Sequence, residues 1–323
     1  MYKGIIVIDI YYENQICVLY LCLRGDMRKR DEGAIREKVI RCGPYGKKAP
    51  FIEVEIYPNT EPFIKMPRRM KYTVSAPKQK TFNDKRAIRY LFQLIKTNFT
   101  SKDFRIDLSY SNKFKPRTEK EMLNMIRNYI ERINRKRAKR GLKEADYICV
   151  NEYGKKNGRI HHHLLISGGL DRDEMEALWC DRKRKGKKER EPLGYANCDR
   201  LQFNQDGIEG LSIYITKDMR QEEVTEGQIS IDDLLGIKKK GKRKWMQSKG
   251  LKKPWFTAPS DKEYSRKKVL EIVNRHAPDS QAVKSIFEHK YKGYCLDKCY
   301  YLWNENLGMW SISLRMHLKG HKP

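Results

Sequence analysis

Residues 150–169 read VNEYGKKNGRIHHHLLISGG, and three of the chain's seven histidines stand consecutively among them. An Asn-Gly pair between apolar runs is the strongest short hairpin signal, so ADYICVNEYG (145–154) and GRIHHHLLIS (158–167) read as the two arms of an antiparallel pair. Side chains alternate across a strand, so His161 and His163 share one face and His162 points to the other. A two-residue turn at Asn157 and Gly158 sets Glu152 opposite His163, whereas a four-residue loop sets it opposite His161. Both registers cluster the same three side chains.

Two imidazoles and a carboxylate converging from adjacent strands can hold a divalent cation and leave coordination positions open for a substrate oxygen. The plainer reading is a strand of partly buried, hydrogen-bonded histidines. The ligand set alone does not choose a reaction, because zinc hydrolases and non-haem iron oxygenases use similar donors. Charge narrows the choice. Lys and Arg outnumber Asp and Glu by 69 to 41, a formal +28, which calls for an acidic partner and favours phosphodiester chemistry over small-molecule oxygenation.

Working outward, TEKEMLNMIRNYIERINRKRAKRGL (118–142) is the clearest helix. Thr118 and Glu121 form a capping box, Met122, Met125, Ile126, Tyr129, Ile130 and Ile133 form one apolar stripe, and Gly141 stops the helix behind a basic last turn. Before it, DFRIDLSYS (103–111) has the period of a half-buried strand, and KTFNDKRAIRYLFQLIKTNF (80–99) reads as a helix with Asn83 or Asp84 as its cap. After the histidines, Asp171 and Glu174 open another helix, GIEGLSIYITKDMR (207–220) reads as a further one, and residues 263–275 have a helical pattern. The first 75 residues alternate short β-prone runs with Gly, Pro and charge clusters, and YYLW and GMWSISLRMHL near the C-terminus look strand-like.

With 323 residues and a hydrophobic share of 39%, the chain can build a real core. Its eight cysteines form no dense framework, which fits a reducing compartment. Acidic Asp9 and Glu13 interrupt the apolar N-terminal run, so neither a signal peptide nor a membrane span is expected, and the expected location is the cytoplasm.

These residues carry a family resemblance. GRIHHHLLISGG resembles the His-hydrophobe-His strand of the HUH endonucleases, the rolling-circle replication initiators (Rep proteins) of plasmids and phages. FRIDLSYS (104–111) is similar to the family's first motif strand, although Asp107 and Ser109 stand where Thr is usual. VNEYGKKNGRIHHH matches the second motif with its acidic third ligand, LSIYITKDMR (211–220) is similar to the third, and KRKWMQSKGLKKP (242–254) resembles a stretch that follows it in Firmicute-type Reps.

The resemblance implies an α+β fold, with a central antiparallel sheet carrying the histidines and helices packed mainly on one side. It divides the chain into a β-rich region (1–75), the HUH endonuclease domain (76–260) and a C-terminal extension of a helix and aromatic strands (261–323). It implies metal ligands at His161, His163 and Glu152, with Mg2+ or Mn2+ as the cation. Tyr214 becomes the nucleophile and Lys217 the group that holds the phosphate or stabilises the phenolate; with no second tyrosine one turn away, a single-tyrosine nickase is implied. Such an enzyme attacks single-stranded origin DNA in the bacterial host's cytoplasm, with host helicase and polymerase as further partners and no membrane. Arg159, Lys240, Arg243, Lys244, Trp245, Lys252 and Lys253 are the expected DNA contacts, cations for phosphates and an indole for a base. The alternatives are a single-strand transposase or relaxase with the same constellation, and a non-catalytic basic nucleic-acid-binding protein.

Overall fold

A computed structural model describes residues 6–12, 15–21, 34–44, 48–59, 77–153, 160–182, 189–202, 245–305 and 307–321. The fold is α+β, built on antiparallel sheets with helices against them. Strands β1 (Ile6–Tyr12) and β2 (Gln15–Leu21) pair only with each other.

The histidine strand β7 (Ile160–Ile166) is the middle of a five-stranded sheet. β5 (Phe104–Ser109) and β6 (Tyr147–Tyr153) flank it, and β8 (Ala196–Arg200) and β9 (Met246–Gln247) lie outside them. Period-two burial explains the strands: Phe104, Ile106 and Leu108 of β5 are buried while Arg105, Asp107 and Ser109 between them are half-buried.

Helix α2 (Glu119–Lys139) covers one face of this sheet. The Thr118 hydroxyl accepts the Glu121 N–H at 3.1 Å, and the Glu121 carboxylate accepts the Arg117 N–H at 2.8 Å, so two otherwise unpaired donors at the helix start are satisfied. Its buried Met122, Ile126, Tyr129, Ile130 and Ile133 form the expected stripe, each contributing roughly 1.5–3 kcal/mol by leaving water. Helix α3 (Arg172–Ala177) begins at the capping box of Asp171 and Glu174, and Trp179 just beyond it closes the end of the same core.

Helix α1 (Pro77–Asn98) lies against the other face. It begins six residues ahead of the caps expected at Asn83 and Asp84; a proline is favoured in a first turn, where its missing N–H has no partner to lose. Leu91, Leu94, Ile95 and Phe99 pack with Ile148, Val150 and Leu165 of the histidine sheet.

The second sheet has the order β10-β3-β4-β13-β12, with β11 also on β3. Its strands are β3 (Ile35–Cys42), β4 (Phe51–Pro58), β10 (Trp255–Phe256), β11 (Ser260–Tyr264), β12 (Tyr294–Asn304) and β13 (Met309–Leu318). Val54 sits opposite Leu314, so residues read from sequence as separate N- and C-terminal regions share one ladder. Helices α4 (Arg266–Arg275) and α5 (Gln281–Lys290) cover it through Val269, Ile272, Val283 and Phe287. The two sheets meet through α1, whose Arg89 and Gln93 bond to buried Glu53 of β4 at 2.9 and 2.5 Å. Among the described residues, no helix is long and apolar enough to cross a membrane.

Candidate metal centre

The pairing of β6 with β7 sets Glu152 opposite His161 and Val150 opposite His163. This is the register of the longer loop, two residues along β7 from that of a two-residue Asn157-Gly158 turn; Tyr153 opposite Ile160 is the last pair before residues 154–159. Both registers leave Glu152, His161 and His163 on one face, because the shift is by two residues along a strand of period two.

His163 is the centre of the arrangement and only 4% exposed. Its Nδ1 lies 2.6 Å from Oδ1 of Asp107, directly across on β5, and its Nε2 lies 2.8 Å from Oε2 of Glu152, diagonally across on β6. Arg105, two residues along the same strand, donates to the second oxygen of Asp107 at 2.6 Å. Burial opposes the charge on Asp107, yet the bond from His163 and the Arg105 guanidinium outweigh it and hold this carboxyl below its ordinary range. His161 is half-buried on the same face, with Glu152 beside it on one side and Ser109 on the other.

His162 belongs to the opposite face and is fully buried. The Tyr110 hydroxyl bonds to its Nε2 at 2.8 Å and the Asn151 amide oxygen faces its Nδ1 at 2.8 Å. Tyr110 and Trp179 meet its ring edge-on, with centroids at 5.4 and 6.3 Å. Burial, helped by neighbouring His163 and His161, pushes its pKa down to about 3, so it stays neutral over the ordinary pH range. The strand therefore carries two kinds of histidine: one wedged in the core and two on the side with the carboxylates.

The donor set suits a divalent cation. A ligating imidazole commonly gives its second N–H to a carboxylate, and Asp107 stands at that position behind His163. Nε2 then turns its lone pair toward Glu152, the other expected ligand. Among the described residues, no three His, Cys, Asp or Glu groups already surround one point as a bound ion requires, since Glu152 and His163 bond to each other. An ion would take the place of that bond, with His161 closing the set from the next position on the same face.

Sequence reasoning passed over Asp107 because it treated β5 as structural. The available signal was the alternation of that strand, which places Arg105, Asp107 and Ser109 on the same side as His161 and His163. Tyr110 and Asn151, the partners of His162, were also missed.

The expected nucleophile Tyr214, its neighbour Lys217, the helix read over 207–220, and Arg159, Lys240, Arg243 and Lys244 lie outside the described residues. The basic stretch is described from Trp245 onward. It runs along the free edge of β6 as β9 and then joins β3 as β10, linking the two sheets. Trp245 stacks on Tyr90 of α1 at 6.5 Å and donates its indole N–H to Gln247, so one face of this ring is already covered. Lys252 is held by its backbone to the Asn98 side chain, and its own side chain and that of Lys253 are exposed.

Residues 105–219 match the family model of the Replication-associated protein ORF2. The match supports a role in replication initiation. It begins on β5, includes all three histidines and runs past Tyr214 and Lys217, so it spans the residues that the site requires. No curated protein and no solved structure matches the chain.

Proposed function

We propose that the chain is a metal-dependent DNA nickase that initiates rolling-circle replication by tyrosine attack on single-stranded origin DNA. The observation that carries this reading is His163 held between Asp107 and Glu152 beside His161, inside the stretch shared with replication-associated proteins. A divalent cation, Mg2+ or Mn2+, held by His161, His163 and Glu152 would polarise a non-bridging phosphate oxygen and offset the charge that builds during in-line displacement.

The protein supplies the remaining parts. The Tyr214 oxygen attacks phosphorus, the P–O3′ bond breaks, and the products are a 5′-phosphotyrosyl link and a free 3′-OH that takes up a proton and can prime synthesis. A phenol ionises near pH 10, so Lys217, three residues further on, favours the phenolate or grips the phosphate. Asp107 fixes the His163 ring, and the buried Asn151–His162–Tyr110 chain holds the strand from beneath. The expected DNA contacts, including Lys252 and Lys253, neutralise phosphates along the strand.

Incubation of the protein with single-stranded DNA from the replicon that encodes it, in the presence of Mn2+, is expected to yield a covalent DNA–protein adduct at Tyr214. Tyr214→Phe should abolish the adduct and leave strand affinity almost unchanged. An adduct that survives the substitution would mean another nucleophile. Strand binding that is indifferent to chelator, with no adduct under any condition, would leave a non-catalytic DNA-binding protein.

A further inference from the structure

Among the described residues seven large hydrophobic side chains are exposed, and four of them, Tyr300, Leu302, Trp303 and Leu307, occur within eight positions at the end of the β12–β13 hairpin. Trp303 faces Trp310 across the ladder, with ring centroids 5.1 Å apart. β13 pairs with β4 only from Ile312 to His317, so the aromatic end projects beyond its neighbouring strand. Apolar rings clustered at such a projection mark a surface that meets a partner.

The helices beside this hairpin indicate the partner's chemistry. α4 and α5 are ten residues each, start at Ser265 and Ser280 caps, and are joined by only five residues, His276 to Ser280. Each anchors itself through two buried apolar side chains and leaves the opposite side to water. On α5 that side carries Gln281, Lys284, Ser285 and His289, side chains able to donate or accept hydrogen bonds. Between Ser265 and Lys292 there are seven Lys or Arg against three Asp or Glu. A concavity of about 520 Å3 runs between Ser280 and Lys284 at the start of α5 and Lys298 and Tyr300 of β12, so the helix pair and the hairpin border one groove.

We propose that α4, α5 and the β12–β13 hairpin form a second DNA-binding surface, specific for the duplex and separate from the nicking centre. A helix with its side chains is about 10–12 Å across and fits a major groove about 12 Å wide, and two short helices with a tight connection are a common way to present one of them there. α5 enters the groove, the basic side chains of α4 meet the flanking phosphates, and the aromatic hairpin end lies on the adjoining backbone and sugars. The net positive charge of the segment complements the duplex. Single-strand cutting and duplex anchoring would then reside on different sheets, joined by α1 and the 245–256 segment.

The test uses the full chain, a labelled duplex of about three helical turns and a single strand of equal length, with affinities read by fluorescence anisotropy. Lys284→Glu on α5 and Trp303→Ser on the hairpin change exposed positions. Each is expected to weaken duplex binding about tenfold or more while single-strand affinity stays within about twofold. Lys284→Ala should fall between Lys284→Glu and the unaltered chain. Unchanged duplex affinity in all three, or equal losses on duplex and single strand, would overturn the proposal. The adduct assay is read separately. A protein that makes no adduct but loses duplex binding in these variants refutes the nickase and keeps the second surface.

Discussion

One oxygen of Asp107 decides which nitrogen His163 offers. With its Nδ1 bonded to that carboxylate, the ring can present only Nε2 to the side where Glu152 stands. Asp107→Ala is therefore expected to weaken Mn2+ binding by about 10–100-fold in calorimetric titration, and Asp107→Asn by less, because its amide oxygen still accepts the Nδ1–H. Equal affinity in all three proteins would mean that Asp107 serves only Arg105. His162, on the other face, is a stability residue. His162→Ala strands the Tyr110 hydroxyl and the Asn151 amide in the core and should cost about 3 kcal/mol in guanidinium unfolding.

The same imidazole makes stability pH-dependent. Its folded pKa is lowered to about 3 from the ordinary 6.5, so below pH 6.5 the unfolded chain takes up a proton that the folded chain refuses. Stability is lost as pH falls, by about 1.4 kcal/mol per unit at most from this group. His162→Gln should remove that slope, so its deficit against the unaltered protein should shrink by roughly 2 kcal/mol between pH 7 and pH 5.

Among the elements, α1 has the most dependents. Its Leu91, Leu94 and Ile95 share one core with Ile148, Val150 and Leu165 of the histidine sheet and with Cys42 and Phe51 of the second sheet, and its Arg89 bonds to Glu53 and Glu55. Leu94→Ala should cost about 2–5 kcal/mol. Because the lost contacts reach both sheets, hydrogen exchange should quicken in β4 and in β6 together. Faster exchange in one sheet alone would mean that α1 belongs to that sheet only. α2 in contrast serves the histidine sheet, and its stripe and caps were legible because helix signals repeat within a few residues.

For the molecule as a whole, the long-range ladder between β4 and β13 has the largest consequences. It joins residues more than 250 positions apart, Val54 with Leu314 among them. A chain beginning at residue 60 would lack β3 and β4, leaving β13 with an unpaired edge and bare Ile312, Leu314 and Met316. Such a chain is expected to aggregate, as light scattering would register, whereas a soluble, cooperatively folding product would mean that the second sheet closes without its N-terminal strands.

The sequence by itself determined the local features: the histidine strand, its alternation, the capped and striped helix α2, and the excess positive charge that points to nucleic acid. Each follows from periodicity or composition, which act over a few residues or over the chain as a sum. Tertiary structure decided the register that sets Glu152 beside His161, the partnership of Asp107 with His163, the insertion of His162 between Tyr110 and Asn151, and the union of the two ends of the chain in one sheet. These depend on which strands become neighbours. A strand's pattern says which face is buried but not what lies across from it, because pairing is settled by the packing of distant segments rather than by the residues next in line.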